Sequence, residues 1–287
     1  MNDEQKMKVA RFIHSGISDY GFIKGRQIVP ASSIAFLPKT IEDFIGKSLQ
    51  NDAELLKQLE STQSKPISSV RFLSPLAKPG KIICIGRNYR EHIEEAGQKV
   101  PEGLPIFLKP LTSLAGPYDE IKYPSITNAL DYEGEMVVIM GKEGKEIDEK
   151  DSLKHVFGLA IMNDLTARDL QMLDGQWTRG KGFDSSAPFG PWITTLDEIA
   201  NPRELSIKTW VNGQLRQSSN TSKMIRGIEK LIEIISQGMT LQPGDIISTG
   251  TPEGTGYYMK PEKRLLSKGD IVRVEVSGLG YIQNRIV

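Results

Sequence analysis

Three carboxylates stand at alternate positions in the stretch LDYEGEMVVIM, residues 130–140: Asp131, Glu133 and Glu135. In an extended chain alternate side chains share a face, so these acids point the same way. From Val137 onward that face turns apolar, and the other face carries Leu130, Tyr132, Gly134, Met136, Val138 and Met140. A strand that is apolar on both faces is usually buried on both. Ionised carboxylates crowded on a buried face repel one another, so either some are protonated or a positive group sits among them. A divalent cation meets that need, and an all-oxygen donor set suits Mg²⁺, Mn²⁺ or Ca²⁺. Glu133 and Glu135, flanking Gly134, form the better pair, while Asp131 lies nearer the strand end, where it would cap or hydrogen-bond. The alternative is an exposed strand edge, with the acids solvated or paired to Lys or Arg. The spacing alone does not separate the two.

NDLTARDLQ offers a third ligand, Asp164, after the apolar run VFGLAIMN. If Asp164 opens the following helix, Arg168 and Gln171 share its face at i+4 and i+7. Asp164 would then serve equally well as a helix cap with Arg168 as its ion partner. In GRNYREHIEEAG, His92 and Glu95 stand three apart. On a helix they meet, and a carboxylate that orients an imidazole makes it a general base for water. The same pair also fits a surface helix with an exposed His. Gly86 and Gly97 flank this segment and suggest a lid. In QWTRGKGFDSSAPFGPW, Lys181 lies between two glycines, open to close approach by a ligand. In ISTGTPEGTG, Thr249 and Thr251 among glycines offer hydroxyls and backbone N–H groups to an anion. His14 and His155 stand alone, leaving too few ligands for a zinc site.

The elements that must position these groups are mostly strands. Residues 7–30 read as short strands with a hairpin at KGR, and residues 41–62 have helical spacing. KIICIG, PIFLKP, VFGLAIMN, DIISTG, DIVRVEVSG and YIQNRIV read as strands. SIKTWVNGQLRQSS reads as a hairpin turning at Asn212-Gly213, and residues 224–238 as an amphipathic helix closed by Gly238. With strands in excess and no βαβ rhythm, the expected class is α+β and β-rich. A boundary near residues 70–78 divides a small N-terminal α/β domain, 1–74, from a larger one, 75–287.

Lys plus Arg and Asp plus Glu both number 36 in the 287 residues. A net charge of zero leaves no basic excess for nucleic acid or an anionic membrane. The lone cysteine, Cys84, sits in an apolar run and reads as a buried hydrophobe. With one cysteine, no apolar signal region at the N-terminus and no run long enough to span a bilayer, the expectation is a cytoplasmic protein.

Together these stretches resemble the fumarylacetoacetate hydrolase family. The resemblance runs in the family's order through KIICIGRNYREHIEEAG, PIFLKPLTSLAGP, LDYEGEMVVIMGK, VFGLAIMNDLTARDLQ, the Lys181 loop with SSAPFGPW, VNGQLRQ, and LIEIISQGMTLQPGDIISTGTPEGTG. It implies a β-sandwich-like roll with short helices, a homodimer, and one Mg²⁺ or Mn²⁺ per subunit. Carried over by position, it makes Glu133, Glu135 and Asp164 the metal ligands. His92 and Glu95 become a water-activating dyad, Lys181 a catalytic lysine, and Arg168, Gln171 and Thr251 substrate contacts. The implied activity is metal-dependent hydrolysis of the C–C bond of an acylpyruvate-type 2,4-dioxo acid, through a metal-bound pyruvate enolate. The same scaffold also carries oxaloacetate decarboxylases and isomerases or decarboxylases of 2-hydroxyhepta-2,4-diene-1,7-dioate-type diacids. An inactive metabolite sensor is the remote alternative.

Overall fold

The computed structural model describes residues 7–287, so the first six residues of the N-terminal segment read above lie outside the described residues. The chain opens with β1 (Lys8–His14), β2 (Ile17–Lys24) and β3 (Gln27–Pro30). The first hairpin turns on Ser15 and Gly16, both at positive φ, the backbone that matches the twist of the strands it joins. The helical spacing over 41–62 yields two helices rather than one, α1 (Ile41–Gly46) and α2 (Ala53–Ser61). Ser48 in the left-handed region breaks the run, and Asp52 caps α2 by accepting from Leu55 N at 3.0 Å.

There follow β4 (Ile82–Ile85), α3 (Arg90–Glu95), β5 (Ile106–Leu108), β6 (Leu130–Asp131), β7 (Gly134–Met140), β8 (Val156–Asn163) and β9 (Thr166–Ala167). After them come α4 (Arg168–Asp174), α5 (Thr178–Lys181), β10 (Ala187–Thr195), β11 (Ser206–Val211) and β12 (Gln214–Asn220). The chain ends with α6 (Ile228–Gly238), β13 (Ile246–Ser248), β14 (Ile271–Val276) and β15 (Gly280–Arg285). The turn between β11 and β12 is the expected one, with Asn212 and Gly213 both at positive φ. The last helix begins at Ile228, four residues later than its periodicity predicts, because a 3-10 turn over Thr221–Lys223 and Gly227 at its N-cap come first.

Among the described residues the main sheet runs β3–β2–β1–β10–β8–β7–β13–β4–β5, and a four-stranded sheet runs β12–β11–β14–β15. This strand-rich α+β architecture with short helices is the class the sequence predicts. The strands of the first 72 residues join the main sheet through β1, whose Lys8 and Val9 face Thr194 and Ile193 of β10. Strand β7 is buried along its whole length. Its odd residues Val137 and Ile139 pack with Val9, Phe22 and Phe157, while Met136, Val138 and Met140 pack with α6 and the second sheet. Each face of the strand thus meets its own apolar layer, which is why the sequence reads greasy on both sides. No helix among the described residues is long and apolar enough to cross a membrane.

Candidate active site

Antiparallel pairing of β7 with β8 sets the start of one strand against the end of the other, with Gly134 opposite Asn163. Glu133 and Glu135 lie at that start and Asp164 just past that end. Asp164 N donates to Glu133 O at 2.8 Å, closing the corner. As a result carboxylate oxygens of Glu133, Glu135 and Asp164 lie within 4.8 Å of one another, all three side chains buried. An exposed strand edge is therefore not what the acids occupy: Glu135 and Asp164 are each 1 % exposed.

Positive side chains are nevertheless there. Lys181 Nζ stands 2.6 Å from Glu133 Oε2 and 2.7 Å from Asp164 Oδ2. Lys109 Nζ lies 2.6 Å from Asp164 Oδ1. Arg168 Nη1 reaches Glu133 Oε1 at 2.6 Å, and its Nε reaches Asp131 Oδ2 at 2.9 Å. Burial works against the charged form of Glu133, but Lys181 and Arg168 outweigh it and hold the carboxyl well below the usual range. Glu135 is different. It accepts from Ser248 Oγ at 2.5 Å and Gly250 N at 3.0 Å, and it has no ion pair among the described residues. Burial, with the charges of Asp164 and Glu133, raises it above the ordinary carboxylate range. Four buried carboxylates, Asp131 included, thus meet three buried cations. The fourth carboxylate, Glu135, is raised for want of a cation, and a small divalent ion among these hard oxygen donors would supply one.

Asp164 does not open a helix. Thr166 and Ala167 pair with Asp131 and Leu130, and α4 starts only at Arg168. The i, i+4 relation to Arg168 is lost, and Arg168 pairs instead with Asp131 and Glu133. Asp131 takes the hydrogen-bonding role: besides Arg168 it accepts from Gly256 N at 2.8 Å and Tyr257 N at 3.0 Å. The loop 247–256 was expected to offer its donors to a bound anion, but they serve the protein's own groups. Gly250 N binds Glu135, and Thr251 Oγ1 donates to Gly134 O at 3.0 Å. Gly134 itself is required by space. A Cβ there would stand 2.3 Å from Thr209 Oγ1 and 2.9 Å from Val274. Gly134→Ala should therefore destabilise the fold by about 1–3 kcal/mol, read as a lowered thermal midpoint.

The His92–Glu95 pair forms as its spacing predicts. His92 Nδ1 lies 2.9 Å from Glu95 Oε1 on α3. A carboxylate only accepts, so Nδ1 donates to Glu95 and Nε2 is the ring nitrogen free to exchange a proton with a substrate. Glu95 is fixed in turn by Gly254 N at 2.9 Å and Thr255 Oγ1 at 3.3 Å. The same loop anchors to Tyr132, whose hydroxyl donates to Gly254 O at 2.9 Å. His92, Glu133, Arg168, Gln171, Lys181 and Thr251 line one cavity of about 50 Å³. Glu95, Glu135 and Asp164 do not line it; Glu95 meets it through His92, and Asp164 through Lys181. Arg168 Nη2 is buried without a partner, while Nη1 also donates to Gln171 Oε1 at 3.1 Å. Lys109 escaped the reading of PIFLKP, where a lysine closing a short apolar run between two prolines was the available signal.

A family profile described as "Fumarylacetoacetate (FAA) hydrolase C-terminal" matches residues 81–287. The chain belongs to the fumarylacetoacetate hydrolase family. It is 42 % identical over 254 residues to a protein of Rattus norvegicus named oxaloacetate tautomerase Fahd2a, mitochondrial, covering 88 % of this chain and 80 % of that one. Among solved structures of the family, a fumarylacetoacetate hydrolase from psychrophilic Exiguobacterium antarcticum superposes with a TM-score of 0.87 at 36 % identity, covering 98 % and 99 % of the two chains. Maleylpyruvate hydrolase from Sphingobium sp. SYK-6, in complex with manganese(II) ion and pyruvate, superposes with a TM-score of 0.83 at 30 % identity and the same coverage. The family relatives thus include hydrolases and tautomerases on one scaffold.

Proposed function

We propose that the protein is a divalent-metal-dependent enzyme that interconverts the keto and enol forms of a short 2-oxo acid of the oxaloacetate class. The observation that carries this reading is one small cavity lined by an oriented imidazole and by Glu133, whose carboxylate clusters with Glu135 and Asp164. The similarity to a protein named oxaloacetate tautomerase supports the choice of reaction. Glu133, Glu135 and Asp164 would hold Mg²⁺ or Mn²⁺, whose positive charge would draw electron density toward the oxygens of the 2-oxo acid.

The proton work falls to the side chains. His92 Nε2 takes a proton from the carbon beside the keto group, while Nδ1–H stays on Glu95, which stabilises the imidazolium. The electron pair of the broken C–H bond becomes the new C=C bond, and negative charge moves onto the keto oxygen. Lys181 brings an ammonium to the cavity wall to stabilise that oxygen. Arg168 Nη2 has a donor to spare for the substrate carboxylate. Gln171 and Thr251 complete the wall. Return of the proton to oxygen rather than carbon completes the interconversion, with no water consumed.

Hydrolysis of an acylpyruvate is the second reading, favoured by the likeness to maleylpyruvate hydrolase. His92 would then deprotonate a water. That reaction asks the cavity to hold an attacking water and an acyl group besides the 2-oxo acid.

The test offers freshly dissolved oxaloacetate and acetylpyruvate to the Mn²⁺-loaded protein and to a chelated control. Enol absorbance, pyruvate, acetate and CO₂ are followed together. Metal-dependent loss of enol without pyruvate is expected, with the rate falling to background on chelation. Pyruvate plus acetate would make the enzyme a hydrolase, and pyruvate plus CO₂ a decarboxylase. Full activity without metal would overturn the reading.

A further inference from the structure

The cavity that His92 and Lys181 line has one more cationic side chain, and no carboxylate among the described residues pairs with it. Arg168 and Lys181 are each matched by carboxylates. Arg87 lines the same cavity. No described residue gives its guanidinium a hydrogen bond or an ion pair; it lies over the ring of Trp177, 5.6 Å from guanidinium carbon to ring centroid, and its charge acts on the Tyr258 hydroxyl. A half-buried guanidinium beside a cavity, stacked on an aromatic ring and short of an anion, is a site built for one.

The local backbone is shaped to hold it there. Arg87 has φ +56°, the left-handed region that a side chain other than glycine rarely occupies. Both neighbours fasten the strained residue. Gly86 N donates to Pro105 O at 2.9 Å. The Asn88 side chain bridges the chain to Thr249 O at 2.9 Å and to Arg226 O at 3.0 Å. Gly86 lets Trp177 close over the strand end, since a Cβ there would come within 2.2 Å of the indole. Phe107 packs against Trp177 edge to face at 5.5 Å and steadies the shelf.

We propose that Arg87 binds the second carboxylate of a dicarboxylic 2-oxo acid and so selects diacids over monoacids. This rests on the 2-oxo-acid reading above. The acid triad with Lys181 and Arg168 takes the 2-oxo end, which every such acid shares. Only Arg87 remains to read the far end. A planar guanidinium grips a carboxylate through two parallel N–H···O bonds, which an ammonium cannot do. The indole beneath it keeps the fork in place without competing for its donors.

The test compares the Mn²⁺-loaded wild type with Arg87→Gln and Arg87→Lys. Two quantities are read: KM for oxaloacetate, a diacid, and Ki for pyruvate, which has the 2-oxo end alone. For Arg87→Gln the KM for oxaloacetate should rise roughly 10- to 100-fold, with kcat nearly unchanged and the Ki for pyruvate unmoved. Arg87→Lys keeps the charge and guards against loss of fold; its KM should fall between the other two. An equal rise in both constants would make Arg87 part of the common 2-oxo site and overturn the proposal. So would no change in either. A wild type that binds pyruvate but not oxaloacetate would sink the diacid assignment alone. A wild type that binds neither would remove the 2-oxo-acid reading beneath it.

Discussion

Replacing His92 by alanine should lower turnover by roughly 10²- to 10⁴-fold while leaving Mn²⁺ binding intact. The side chain lines the cavity and is oriented by Glu95 at 2.9 Å, and it makes no hydrogen bond or ion pair with the three clustered acids. Its loss therefore removes the proton carrier and spares the proposed metal ligands. Turnover of oxaloacetate and calorimetric titration with Mn²⁺, run on one preparation, separate the two effects. Unchanged turnover would take the dyad out of the mechanism in the tautomerase and hydrolase readings alike.

Lys181→Met is expected to destabilise the metal-free protein by about 1–3 kcal/mol, because it takes one of two cations from each of two buried carboxylates, leaving Arg168 on Glu133 and Lys109 on Asp164. The Lys181 ammonium stands between Glu133 and Asp164, in the space a divalent ion bound by those acids would contest. Without the lysine, a cation meets one fewer positive charge at both carboxylates. Mn²⁺ should consequently raise the melting temperature of Lys181→Met by more than it raises that of the wild type, while turnover is lost with the oxyanion-stabilising charge. A smaller Mn²⁺ shift in the variant than in the wild type would mean that the lysine helps the acids hold the ion rather than competing for it.

Much of this site can be read from types and spacing. The alternating acids of residues 131–135, the three-residue step from His92 to Glu95 and the turn at Asn212-Gly213 each depend on contacts a few residues long, and those survive folding. What local periodicity misjudged was decided by distant partners. Asp164 looked like a helix opener, but pairing of Thr166–Ala167 with Leu130–Asp131 delayed the helix to Arg168. The donors of residues 247–251 look free for a ligand, yet β13 lies beside β7: Glu135 takes Ser248 Oγ and Gly250 N, and the carbonyls of Met136 and Gly134 take the hydroxyls of Thr249 and Thr251. Lys109 is hard to single out because no acid stands close to it in the sequence, and Arg87 makes no pair with Glu91, four residues on. Lys109 finds its partner, Asp164, 55 residues away. The sequence showed that the acids need positive charge. It did not show that three side chains already supply part of it.

The loop after β13 serves two masters. Gly254 N and Thr255 hold Glu95, which sets the imidazole, and Gly256 N and Tyr257 N hold Asp131, which sets Arg168. Four consecutive residues thus splice the proton carrier to the acid cluster. Order in this segment is all-or-none for the site: a local opening there would release both halves at once, and no partly assembled state would keep a working base beside a slack acid centre.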